Sequence, residues 1–220
     1  MARPISLDID PANVDADGLA AANDSTGTSV TLDGALTSGG TFTAADGLAR
    51  QLSITDSSTV DQSGVTFTVT GTDADGNAQT EAITGPAADA TVESAKYFKT
   101  VTSVAIASPA LACTVNIGTV DEVASQTIPL NIYAGSPAAV VAELTGTMNY
   151  SIQVTNSDIQ SSTRGDQDSF TWAADANWSG ITASQAKELV AENWRAMRFI
   201  ANSYTDTAEI QLAIQQPGAC

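Results

Sequence analysis

Apolar and polar residues alternate with a period of two through most of the chain. In Val65-Thr-Phe-Thr-Val-Thr-Gly, residues Val65, Phe67 and Val69 fall on one side and Thr66, Thr68 and Thr70 on the other. Successive side chains of a strand point to opposite faces, so this spacing predicts a half-buried β-strand. The same alternation recurs at Leu52 and Ile54 and at Tyr150, Ile152 and Val154, and further strand-like runs are Phe98–Ile106, Val115 to Ile117, Ile128–Ile132 and Val140–Leu144. It is clearest in Ala208, Ile210, Leu212 and Ile214, with Glu209, Gln211 and Gln215 opposite.

Turn residues separate these runs. Val30 and Leu32 precede Ser38-Gly39-Gly40, and Asp73-Ala-Asp75-Gly76-Asn77 sits between two alternating runs as a hairpin connection. Asp, Asn and Gly tolerate the positive φ that tight hairpins need. Ala-Asp-Gly occurs at 16–18, 45–47 and 74–76, and reads as shared turn chemistry. Short strands with turn signals about every 8 to 12 residues predict sandwich or jelly-roll architecture. The expected fold is all-β: an extended N-terminal arm over residues 1–28, a β-sandwich domain over 29–120 and a second over 125–220. Periodicity lapses between Thr119 and Thr127, where Asp121 and Glu122 raise the charge. At most one short helix is expected, and its place is Ile181–Asn193, where Thr182 and Gln185 stand at capping-box spacing. The arm, rich in polar residues and holding Pro4 and Pro11, could lace onto a neighbouring subunit by adding a strand, or form a loosely packed terminus.

Composition sharpens this picture. Hydrophobic residues make up 43% of the 220 residues, enough for packed cores, while charged residues are only 15%. Threonine, serine, alanine and glycine fill the difference, which suits close-packed strands. The 25 acidic residues against 8 basic ones give a net charge of −17. Such a balance opposes nucleic acid and anionic membrane surfaces as partners, since phosphate binding needs a basic footprint. No apolar run reaches the length needed to span a bilayer, and no signal peptide is visible at the N-terminus. Cys113 lies in a strand-like run and reads as a small buried residue; with Cys220 it makes no disulfide framework.

Candidate chemistry is sparse. The chain has no histidine, which removes Ser-His-Asp and Cys-His nucleophilic arrangements and the usual zinc sites. A paired-carboxylate hydrolase stays formally open, but Asp73 and Asp75 lie in a tight turn rather than a cleft. Asp73, Asp75 and Asn77 alternate like the start of a calcium loop, yet the glycine comes too early and a strand follows where a helix should. No catalytic residue, metal or cofactor is expected. The residues marked for contact are Trp172, Trp178 and Trp194, as core or subunit-interface anchors, with Arg195 and Arg198, which could pair with acids on a neighbouring subunit or form an exposed and inconsequential pair.

Several stretches resemble a module of tailed-bacteriophage virion structural proteins. These are Leu52-Ser-Ile-Thr, Ser63-Gly-Val-Thr-Phe-Thr-Val-Thr-Gly-Thr-Asp-Ala-Asp-Gly-Asn, Thr80-Glu-Ala-Ile-Thr-Gly-Pro and Tyr97-Phe-Lys-Thr-Val-Thr-Ser-Val. The second half adds Gly146-Thr-Met-Asn-Tyr-Ser-Ile-Gln-Val-Thr, Arg195-Ala-Met-Arg-Phe-Ile-Ala-Asn-Ser-Tyr and Ile210-Gln-Leu-Ala-Ile-Gln-Gln. The resemblance covers residues 30–216, departs from the pattern at Ala183–Asn193, and carries no active-site motif. It implies a non-enzymatic virion component, made in the host bacterial cytoplasm and assembled onto the particle. The leading expectation is a capsid decoration or cement protein, a dimer or trimer bound to the major capsid protein or another virion protein. A tail or head–tail junction protein is the alternative. A carbohydrate-binding host-surface adhesin is the third, and would require Trp172 or Trp178 to line an exposed groove.

Overall fold

A computed structural model describes residues 4–24, 27–107, 114–133, 137–160, 165–191 and 193–216. Cys113 and Cys220 lie outside the described residues. The fold is nearly all β, as the alternation requires. The chain divides into two compact units, one of residues 14–120 and the other of residues 121–220 together with the stretch before residue 14.

A first strand, β1 (Ile5–Ile9), belongs to the second of these units. The first unit holds β2 (Ala20–Asp24), β3 (Ser29–Val30), β4 (Thr37–Ser38), β5 (Thr41–Thr43), β6 (Ala49–Asp56), β7 (Thr66–Thr72), β8 (Ala78–Thr84), β9 (Thr91–Glu93), β10 (Thr100–Ala107) and the start of β11 (Thr114–Ala124). One sheet runs β4-β5-β10-β7-β8, with β3 also on β10; in the other, β11 pairs with β2 and β6, and β6 with β9. Strand β7 is buried at every second residue, as its sequence predicts. Phe42, Phe67, Val69, Val101 and Val104 from the first sheet join Leu52, Ile54, Val115 and Ile117 from the second in one core cluster. Two sheets sharing an apolar core make a sandwich, each covering the other's hydrophobic face.

The β7–β8 hairpin closes as expected. The Asp73 amide donates to the Asn77 carbonyl at 2.9 Å, and Gly76 takes φ +86°, a conformation open to glycine at no steric cost. Both Asp73 carboxylate oxygens accept from Asn77, at 2.8 Å from its backbone and 2.9 Å from its side chain. That pairing within the turn accounts for Asp73.

The second unit adds β12 (Ile128–Pro129), β13 (Ala139–Thr145), β14 (Met148–Thr155), a single 3-10 turn η1 (Gln167–Ser169), β15 (Ala173–Ala174), β16 (Gln185–Glu188), β17 (Ala196–Tyr204) and β18 (Glu209–Gln215). One sheet runs β1-β18-β13-β16. In the other, β17 pairs with β14, β12 and the Val123–Ala124 end of β11, and β14 with β15. Val140, Ala142, Ile210, Leu212 and Ile214 are buried from one sheet, and Met148, Tyr150, Ile152, Met197 and Phe199 from the other.

Two expectations change. At Ile181–Asn193 the chain is extended where the capping-box spacing predicts a helix. Gln185–Glu188 is β16, paired antiparallel with Ala139–Ala142. Cross-strand pairing outweighs the helical preference of its Ala, Lys and Glu. Segment 1–28 is shared between the units rather than projecting as an arm. Ile5–Ile9 pairs with Ile210–Ile214, and Leu19 and Ala20 are wholly buried in the first core.

Candidate interface site

The five residues marked from sequence separate into three environments. Trp178 is fully buried beside Tyr150, with ring centroids 6.4 Å apart, and Tyr150 stacks on Phe199 at 5.8 Å. It is a core residue and presents no surface. Burial also pushes the Tyr150 hydroxyl up to about 12, while the hydroxyl donates to the Ala183 carbonyl at 2.9 Å.

Arg198 is likewise buried, which corrects its reading as a residue facing a neighbouring subunit. Strand alternation puts it on the β17 face opposite Met197 and Phe199, directly across from Gln153 of β14. Residues 165–172 cover that face. The guanidinium donates from Nε to Gln153 Oε1 at 2.8 Å and from Nη1 to Gln167 Oε1 at 2.9 Å and Asp168 Oδ1 at 3.1 Å. Its carbon lies 4.6 Å from the Trp172 ring centroid, a cation–π distance. Gln167, itself buried, donates onward to the Ser125 carbonyl at 3.1 Å and Thr127 Oγ1 at 3.0 Å. Half-buried Trp172 is held by its indole donating to the Gln167 carbonyl at 2.8 Å and by an edge-on contact with Phe170. Arg198 and Trp172 therefore fasten the β14–β17 connection to its own sheet.

Arg195 and Trp194 lie just before β17. Trp194 is half-buried. Arg195 is exposed and pairs with Asp158 at 3.3 Å, with 46% and 62% of the two side chains open to solvent. Screening and side-chain entropy leave such a pair little net energy. Beside Arg195 lies a shallow cleft of about 270 Å³, lined by Leu130, Asn131, Ile132, Tyr133, Ile159 and Gln160 among others. Two hydrogen bonds hold its lining: the Leu130 amide donates to the Arg195 carbonyl at 2.8 Å, and the Tyr133 amide to Asn131 Oδ1 at 3.1 Å. At its rim Tyr133 is 79% exposed and Ile132 37%.

Tyrosine, arginine and an aliphatic side chain at a shallow surface are the composition of protein–protein contact points. The volume falls short of the several hundred cubic ångströms typical of small-molecule sites. Among the described residues no group of three or more Asp, Glu or Cys is placed to hold a metal ion, and no helix is long and apolar enough to cross a membrane. Of the sequence candidates, only Arg195 belongs to this cleft. Tyr133 and Ile132 went unmarked because the sequence pattern runs Ile128–Ile132 as one strand, whereas the strand ends at Pro129 and both residues lie in the turn beyond it. Comparison of the chain with protein-family models and with curated proteins gave no match.

Proposed function

We propose that the protein is a structural component of a tailed-bacteriophage virion, a capsid decoration protein that binds the outer shell in many copies and stabilises it. The observation that carries this reading is the set of phage-like strand and turn motifs spread over residues 30–216. The rim formed by Tyr133, Ile132 and Arg195 supports it, because it offers a protein-contact surface on a strongly acidic chain. Modest contacts suffice where many copies engage one lattice together. Net negative charge on an outer surface keeps particles apart. The buried Trp178 and the covered Trp172 weigh against a sugar-stacking adhesin.

The test is copy number in purified virions, by quantitative mass spectrometry against the major capsid protein. A ratio near one per capsid subunit, or a simple fraction of it, is expected. A dozen or so copies per particle would move the protein to the tail or the head–tail junction.

A further inference from the structure

The second unit is completed by a strand that precedes the first unit in sequence. Strand β1 pairs only with β18, through five residues from Ile5↔Ile214 to Ile9↔Ile210, and its other edge pairs with no described strand. Its attachment is light. The core-facing side chains are Ile5, Leu7 and Ile9, of which only Ile9 is buried while Ile5 and Leu7 stay half-exposed. On its other side β18 pairs along its whole length with β13, from Thr145↔Glu209 to Ala139↔Gln215, so the acceptor strand is held within the unit by a second partner. The chain that follows β1 is solvent-facing at Ala12, Asn13 and Val14. A tyrosine tethers it, through the Tyr204 hydroxyl donating to the Ala12 carbonyl at 2.9 Å.

We infer that β1 is an exchangeable strand, and that Ile5–Ile9 of one copy seats on the β18 edge of a second copy when copies are crowded. The occupant follows from what already sits there: the same five residues make the same register and the same Ile and Leu contacts whether supplied in cis or in trans. Exchange therefore changes no contact and costs only the entropy of bringing two chains together, a cost that falls as concentration rises. A light, short edge strand on an exposed connection is the part of the fold that opens most readily. This inference does not depend on the virion reading.

Ser6 and Ala213 face each other on the outer side of the sheet, away from the core. In a chain whose Cys113 and Cys220 are replaced by alanine, S6C and A213C are made as two separate single variants. They are mixed at about 1 mM, comparable with the effective concentration of a short tether, and treated with an oxidant or a short bismaleimide. The double variant S6C/A213C at high dilution supplies the control, since its intramolecular product shows that the pair is within linking reach and the strand is seated. The expected result is a covalent S6C–A213C heterodimer of twice the chain mass, whose yield rises with concentration, and linked dimers of the double variant at the same high concentration. If the double variant closes on itself at every concentration and the mixture stays monomeric, strand exchange is overturned. L7C with L212C repeats the test on the alternate class of cross-strand pair, so that poor geometry at one position does not decide it.

Discussion

Two arginines three residues apart show how strongly context sets the worth of a side chain. Arg198 is buried and serves Gln153, Gln167 and Asp168 at once, whereas Arg195 is exposed and meets one exposed carboxylate. Removing one partner of a buried charged network leaves the others desolvated and unpaired, which costs about 3 to 5 kcal/mol. R198A should therefore lower stability by about 3 kcal/mol, read as a shift of the urea midpoint. R198K should recover less than half of that, because a single ammonium cannot reproduce the planar fork. R195A should stay within about 0.5 kcal/mol of the parent protein. Tyr150 gives a different readout. Its folded hydroxyl titrates near 12, above the ordinary value of 10, so the folded state holds a proton that the unfolded state releases first. Stability is then unaffected below pH 10 and falls as pH rises from 10 towards 12. Alkaline unfolding followed by circular dichroism should show that decline, and Y150F should flatten it.

At the level of elements, close approach of backbones decides which positions tolerate a side chain. Gly71 of β7 sits opposite Val101 of β10, where the ladder slips between Val101 and Ser103. A Cβ there would lie 1.9 Å from the Thr100 carbonyl oxygen, a backbone atom that cannot swing aside. G71A must force the two strands apart and should cost about 2 to 3 kcal/mol, in the range of overpacked cores. At Gly64 nothing lies within 4 Å of the added carbon, so G64A is the matched control with little change in the thermal midpoint. Hairpin β7–β8 and strand β18 were legible from sequence because their signals are local: a two-residue period and turn residues that stabilise the turn themselves. Strand β16 was not, since Gln185–Glu188 is made of good helix formers and becomes a strand only by pairing with residues more than forty positions earlier. The Arg198 network was hidden for the same reason. Its partners Gln153 and Gln167 carry no mark of a shared site until β14 and β17 align. The cleft at Tyr133 was invisible because alternation reports which residues share a face, and not which faces stay uncovered.

For the whole molecule, charge is the term that no local pattern contains. The net charge of −17 is spread over a chain whose Arg50 and Arg198 are buried in ion pairs with Asp46 and Asp168. Among the described basic residues, only Lys187 and Arg195 are exposed. With 25 acidic residues against 8 basic ones, repulsion among like charges is relieved when the chain expands on unfolding. Salt screens that repulsion: the Debye length falls from about 30 Å at 0.01 M to about 8 Å at 0.15 M. Screening also weakens attractive surface pairs, but Arg195–Asp158 is exposed and worth little, while Arg50–Asp46 and Arg198–Asp168 lie where screening hardly reaches. The repulsive term wins, so adding sodium chloride from 0.01 to 0.15 M should raise the thermal midpoint. The same screening lets like-charged copies approach, so light scattering should show weak self-association strengthening in parallel. A fall in the midpoint over that range would mean that attractive surface pairs outweigh the net charge. In that case the acidic balance would do more to hold the fold together than to keep its copies apart.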